Sequence, residues 1–536
     1  MDARLAIDTA VLLLYFIVII SIGLYMGRKE ESLKDFALGG RRIPWWAVFA
    51  SLIAAETSAG TFFGTPGEGF SHRDYTYLQL AFGTILGRIL VSYIFIKPYY
   101  DYNVYSIYEY LTARFGVPTK NAASAIFMIT RVLASGARLY AAAIALVLAY
   151  EMIRGVQPGQ KETLFIYVGS TAAIVILTAI YTTFGGIKAV IWTDLIQASI
   201  MIGSALIALA LLYFAIPGGW HEIVQRHGAF QISDLITTGL DPAKHGWDKI
   251  KSMFETEYTI FAGLIGAAFI TMGTHGTDQD MVQRLLTAPD IRRSRRSLIS
   301  SALADIPIAF TFLSIGLLLW VYYQAHPDPT LPKTPNETFC HFILYQMPVG
   351  LRGLLIAGIF ATAMGSLSTA INALATSFTR DWYEPYINPQ STEEQSLRAV
   401  RWATVWFSVL MIVVASTTSY LVIVHPNVRI IPIVLGIFGY TYGSLLGVFL
   451  CGMFTKRRGN DFGNIIAMIM GFIVVAILSG LPNKIASLFG GKFYMQPGWL
   501  PVMEFPWWIC FGTIATFSIA ILFKSTRDHR PPVSAG

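Results

Sequence analysis

Apolar runs of twenty residues or more recur along the whole 536-residue chain. A run of that length matches the helix needed to cross a hydrocarbon layer of roughly 30 Å. The runs do not alternate with a period of two, which excludes a membrane barrel, so each segment must satisfy its backbone groups as a helix. Only 13% of the residues are charged, against 54% hydrophobic, whereas soluble domains carry about 25% charged residues. So few charges cannot cover a water-facing surface. The pattern predicts an all-α integral membrane protein of about 13 transmembrane helices, over 6–26, 44–67, 77–100, 121–151, 162–183, 187–215, 256–281, 297–323, 350–379, 398–424, 429–454, 461–481 and 504–523.

The formal net charge of +7 comes from Lys and Arg in short connections between spans. It is not a continuous basic tract, so it orients the chain in a bilayer and gives no reason to expect a nucleic-acid partner. With the N-terminus outside, the inner connections are 28–42, 97–120, 284–296, 380–401, 456–458 and the tail from Lys524, and they hold most of the basic residues. This predicts a multi-pass protein of the plasma (inner) membrane with its N-terminus outside and its C-terminus cytoplasmic. The first run lacks a basic leader and a small-residue cleavage site, so it is expected to be a retained helix. Outer loops 216–255 and 324–348 hold Pro, Gly, His and charged residues and are expected to cap the outer mouth. Only a short tail follows the last span, where a sensor would carry a signalling domain. Cys340, Cys451 and Cys510 are far apart and show no metal spacing, and no nucleophile–base pair stands out, so the chain is not read as an enzyme.

Two spans are interrupted. The second reads SLIAAETSAGTFFGTPGEGF and the seventh FITMGTHGTDQDMVQR. Unwound backbone at membrane depth is tolerated only where it lines a cavity. Broken helices five spans apart, each opening a set of five, point to the two halves of an inverted-repeat transporter.

Charged residues inside spans mark candidate chemistry. Glu56 lies mid-span beside Thr57, Ser58 and Thr61, and is either a structural carboxyl or a contact for solute or ion. Arg131 and Arg138 are two turns apart on one face of the fourth span. They call for anions, from Glu56, from Asp305 or from a carboxylate substrate that arginine would grip bidentately. Asp194, early in the sixth span, is either an interfacial aspartate or an ion ligand. Asp305 is expected to partner an arginine. Thr362, Ser366, Thr369 and Thr376 form a hydroxyl stripe in the ninth span. Such a stripe serves either helix packing or an all-oxygen site for a hard cation.

DFALGGRRIPWW, SLIAAETSAGTFFGTPGEGF, FGGIKAVIWTDLIQ, GTDQDMVQRLLTA, GSLSTAINALATSFTRDWY and YGSLLGVFLCGMFTKR together resemble the sodium:solute symporter family, which includes sugar, iodide, monocarboxylate, proline and sialic acid transporters. The resemblance implies a LeuT-type five-plus-five inverted repeat with one extra N-terminal and two extra C-terminal helices. It divides a single transporter domain into 1–43, the repeats 44–215 and 256–454 flanking the outer loop 216–255, and 455–536. It also implies co-transported Na+, held by Ala54, Thr57, Thr362 and Ser366, with Gly365 standing where the family usually has serine. A further sodium site would use Asp194, Ser368 and Thr369. Glu56, Ser58, Thr61 and Gln79 fall where members contact substrate, and Thr274 falls where the sugar-binding members have a tyrosine gate. The implied function is sodium-coupled symport of a small organic solute, more readily an anion such as a monocarboxylate or acidic sugar. The alternatives are a neutral sugar, proton coupling through Glu56, and a transporter-like sensor or channel.

Overall fold

The computed structural model describes residues 3–28, 32–154, 159–228, 230–424, 430–488 and 497–525. Within them, nine helices are long and apolar enough to cross a membrane, and a bent pair can supply a tenth crossing. The chain is all-α, as its apolar runs require. The basic tail after Lys524 falls largely on residues outside the described ones, as does the start of the expected span 429–454.

Helix α1 covers Ala3–Gly27. Helices α2 (Trp45–Glu56) and α3 (Ala59–His72) form the bent pair, 63° apart across Thr57 and Ser58. Next come α4 (Gln79–Ile94), α5 (Val117–Arg154) and α6 (Gln160–Ala215). Helix α6 has 56 residues, which at 1.5 Å per residue is about 84 Å and far exceeds one bilayer. Gly186 breaks it, with φ 51° and ψ −153°, a region open essentially to glycine alone. The expected spans 162–183 and 187–215 meet at this residue.

The seventh span is also broken. A π-helical turn, Ala262–Gly266, leads into α7 (Ala267–Gly276), which stops before α8 (Gln279–Leu285). Asp278 caps α8 by accepting from the Asp280 N–H at 2.9 Å. Helices α9 (Ile291–Ala325), α10 (Leu351–Phe378), α11 (Glu393–Val424), α12 (Ile430–Phe454), α13 (Asp461–Leu478) and the shorter α14 (Trp508–Ala520) follow. The outer loops carry short helices of their own, Trp220–His227, Gly246–Phe254 and Pro335–Gln346.

Helix α10 is the most enclosed long helix, 83% buried over its apolar window, whereas α1 is 17% buried. It packs against α6, α5, α11, α1 and α2. Small residues at its contacts allow this close approach; Gly358, for instance, sits against Ser204 of α6. A hydroxyl-rich helix is thereby held at the centre, beside the break between α2 and α3.

Candidate functional site

At the break, the Thr57 N–H still reaches the Ile53 carbonyl at 3.0 Å, but the Ser58 N–H turns to the Glu56 carbonyl at 2.9 Å. Ala54 therefore loses the N–H that would have closed its helical hydrogen bond, and its carbonyl is freed for another partner. That carbonyl faces α10: a Cβ placed on Gly365 would lie 3.5 Å from it. On α10 the Thr362 hydroxyl donates to the Ile359 carbonyl at 2.7 Å, and Ser366 donates to the Thr362 and Ala363 carbonyls at 3.1 and 3.2 Å. A hydroxyl whose proton points back along its own helix keeps its lone pairs outward, the state a cation needs. The unwound stretch and the hydroxyl helix are thus adjacent.

A cavity joins these two elements to α5. It is lined by Ala59, Ser135, Arg138, Leu139, Ala363, Ser366 and Leu367. The Arg138 guanidinium lies 4.8 Å over the Phe438 ring and has no carboxylate within salt-bridge distance among the described residues. A cation stacked on an aromatic face at the wall of a cavity that also holds the Ser135 and Ser366 hydroxyls is placed to take a carboxylate from outside the protein. Ser58 is buried at the head of α3 and Thr61 is half-buried one turn on.

Arg131, two turns away, is not available in the same way. It is 3% exposed and bonds Asp278 and, at 3.1 Å, Asp280. Tyr442 also donates to Asp278. The break before α8 brings both aspartates against α5, so the two arginines serve different ends. The expectation that Glu56 or Asp305 answers them is corrected by the fold: both carboxylates bond Arg88 of α4, Asp305 at 2.6 Å. Asp305 does partner an arginine, but not one of the pair singled out. Arg88, 1% exposed, was overlooked, although an arginine in the middle of span 77–100 is as strong a signal as Glu56 itself. His275 joins the cluster, its Nε2 2.8 Å from Glu56 and its Nδ1 2.9 Å from the Thr274 hydroxyl. Gln79 is fully buried, its amide NH2 donating to the Thr76 and Tyr258 carbonyls and its oxygen accepting from the Thr237 N–H. It fastens the head of α4 to the outer loop.

Asp194 is fully buried within the protein. It accepts from the Ser51 hydroxyl at 2.5 Å and lies 3.7 Å from Arg284, which is held by Asp280 at 2.9 Å. Its second oxygen, Oδ1, has no hydrogen-bond partner. The Ser368 and Thr369 hydroxyls of α10 donate to the Gly365 carbonyl, each at 3.2 Å. The Tyr181 hydroxyl stands in electrostatic reach of both Asp194 and Ser368. The orphaned carboxylate oxygen of Asp194 and hydroxyls whose protons point back along α10 are each the kind of oxygen ligand a hard cation takes.

The chain is similar to known proteins over most of its length. A sodium/sialic acid symporter of Proteus mirabilis (strain HI4320) is 29% identical over 503 residues, 93% of each chain. One from Aliivibrio fischeri (strain ATCC 700601 / ES114) is 30% identical over 445 residues, 83% of this chain and 82% of that one. A solved structure of a Na+-coupled sialic acid symporter, substrate-bound and outward-open, superposes with a TM-score of 0.78 at 27% identity, covering 96% of this chain and 97% of the other. The model of the sodium:solute symporter family matches residues 36–471. This multi-pass membrane chain belongs to the sodium:solute symporter family.

Proposed function

We propose that this protein imports a small organic anion, an acidic sugar of the sialic acid kind, together with sodium. The observation that carries the reading is the cavity that Arg138, with no carboxylate at salt-bridge distance among the described residues, and Ser366 both line, next to Gly365 and the Ala54 carbonyl that faces it. An ion and a carboxylate that share a cavity stabilise each other's binding, and that mutual stabilisation is the coupling free energy of symport. Sodium is held by Ala54, Thr57, Thr362 and Ser366, and a second ion by Asp194, Ser368 and Thr369. Arg138 takes the carboxylate, and Ser58 and Thr61 contact the rest of the solute. The sialic acid symporters that the chain resembles over nine-tenths of its length support an acid substrate.

The path of the chain is thirteen crossings in the LeuT arrangement: α6 counts twice about Gly186, the pairs α2–α3 and α7–α8 once each, and α14 once. The repeats are 44–215 and 256–454, in a single transporter domain of the inner membrane, N-terminus outside and C-terminus inside. The protein performs transport and no covalent chemistry.

The test is uptake into proteoliposomes of labelled sialic acid, a monocarboxylate and glucose, with an inward sodium gradient or potassium alone. Sodium-driven accumulation of the acid, lost in Arg138→Ala and partly kept in Arg138→Lys, is expected. Accumulation in potassium-only medium would reject sodium coupling, and uptake indifferent to Arg138 would reject the anion.

A further inference from the structure

Around the break, one arginine serves two carboxylates. Arg88 of α4 donates through one terminal nitrogen to Glu56 of α2 and Asp305 of α9, and through the other to Ser301 of α9 at 2.7 Å. Buried charges are tolerated when they are matched, and a single guanidinium between two ionised carboxylates leaves one negative charge over, to be met either by a second cation or by a proton shared between Glu56 and Asp305, which lie within hydrogen-bond reach of each other. Among the described residues, His275 of α7, 5% exposed, is the other ionisable side chain that bonds Glu56. Its Nε2 meets Glu56 at 2.8 Å. Since that carboxylate accepts from Arg88 as well, Nε2 must carry a proton. The state of Nδ1 decides the charge. It lies 2.9 Å from the Thr274 hydroxyl, which is also 3.0 Å from the Ile270 carbonyl. If the hydroxyl proton points at that carbonyl, Nδ1 donates to the hydroxyl oxygen and the ring is an imidazolium. If the hydroxyl turns its proton to Nδ1, the ring is neutral. Rotating one hydroxyl satisfies both forms, so this histidine can gain or lose a proton without leaving a buried polar group unpaired.

We propose that His275 is a proton-binding site that controls transport. Protonated, it closes a network of two cations and two anions that ties the broken second span to α4, α7 and α9. Neutral, it leaves a carboxylate charge unmatched at the hinge of that span, and the tie loosens. The charged groups facing it are Glu56 from α2 and Arg88 from α4, with Asp305 of α9 reached through Arg88. Histidine is the side chain suited to switching between about pH 5 and 8.

Two measurements on the reconstituted full-length chain test this. The first is the thermal unfolding midpoint from about pH 5 to 8 for wild type, His275→Gln and Thr274→Val, without solute. The gap between wild type and His275→Gln should narrow as pH rises, because the charge that stabilises the wild type is then lost. Thr274→Val should move that transition to lower pH, since the imidazolium loses its acceptor. A gap constant across the range would mean that His275 is only a neutral hydrogen-bond donor and would overturn the proposal. The second is sodium-driven uptake of labelled sialic acid over the same range, expected to change with pH in wild type and to be flat in His275→Gln. An equal pH profile in both would also overturn it. This second arm rests on the solute reading above: if sialic acid is not taken up at all, that reading fails, and the unfolding curves still decide about His275.

Discussion

A serine hydroxyl binds a cation only when its own proton is directed elsewhere, and Ser366 meets that condition by donating to the carbonyls of Thr362 and Ala363. Removing this oxygen takes away one ligand of a small set without disturbing the helix, because the proton's partners are backbone groups of α10 itself. A hydrogen-bonding group facing a charge contributes about 1.5–3 kcal/mol. Ser366→Ala is therefore expected to raise the sodium concentration for half-maximal uptake by roughly tenfold or more, read from initial rates against sodium. The Arg88 cluster obeys different physics. Arg88→Ala would strand Glu56 and Asp305 together in the interior, and breaking a buried ion pair costs about 3–5 kcal/mol. A lower unfolding midpoint and poor recovery of folded protein are expected. Adding Asp305→Asn should restore part of the loss, since the two sites share one network.

Elements act here through their interruptions. The break at Thr57 and Ser58 converts an apolar span into a source of free carbonyls, and the break before α8 brings Asp278 and Asp280 to Arg131. Gly186 performs a mechanical task, kinking the chain between the two halves of α6. A Cβ at that position would lie 2.7 Å from the Phe36 carbonyl oxygen, on top of a backbone conformation that costs about 1–3 kcal/mol for other residues. Gly186→Ala should sharply reduce the yield of monodisperse protein in detergent. Gly203, with nothing within 4 Å of its Cβ position, is the matched control in the same helix. Gly203→Ala should be neutral or stabilising, by up to about 1 kcal/mol in helix propensity.

At the scale of the whole molecule, the number of ions fixes how far a solute can be concentrated. Moving one charge through 100 mV is worth about 2.3 kcal/mol, and a tenfold sodium gradient adds about 1.4 kcal/mol per ion. One sodium with a monoanion is electroneutral and supports only about tenfold accumulation. Two sodium ions with a monoanion carry one net charge and yield about 5 kcal/mol, or several thousandfold. If both the Ser366 and Asp194 sites are used, acid uptake should be electrogenic and should rise with inside-negative potential. Asp194→Asn should abolish that voltage dependence, checked by a potassium-diffusion potential across the vesicles.

The all-α membrane fold, the length of its spans and the positions of their interruptions were legible in the residues alone. A bilayer obliges each segment to satisfy its own backbone, so apolar run length and glycine or polar breaks speak directly for structure. The hydroxyl stripe of α10 was legible for the same reason, being a property of a single helix, whereas Ala54 was singled out only through the family resemblance. Which charge answers which was not. Arg88 and Asp305 are 217 positions apart, and neither local periodicity nor composition carries their pairing. Only the packing of α4 and α9 around the broken span gave Glu56 and Asp305 to Arg88, and only the packing of α5 against the head of α8 gave Arg131 to Asp278 and Asp280. Among the described residues it left Arg138 without a carboxylate beside the cavity, because ion pairs form between surfaces that meet in space, and the tertiary structure alone decides which surfaces meet.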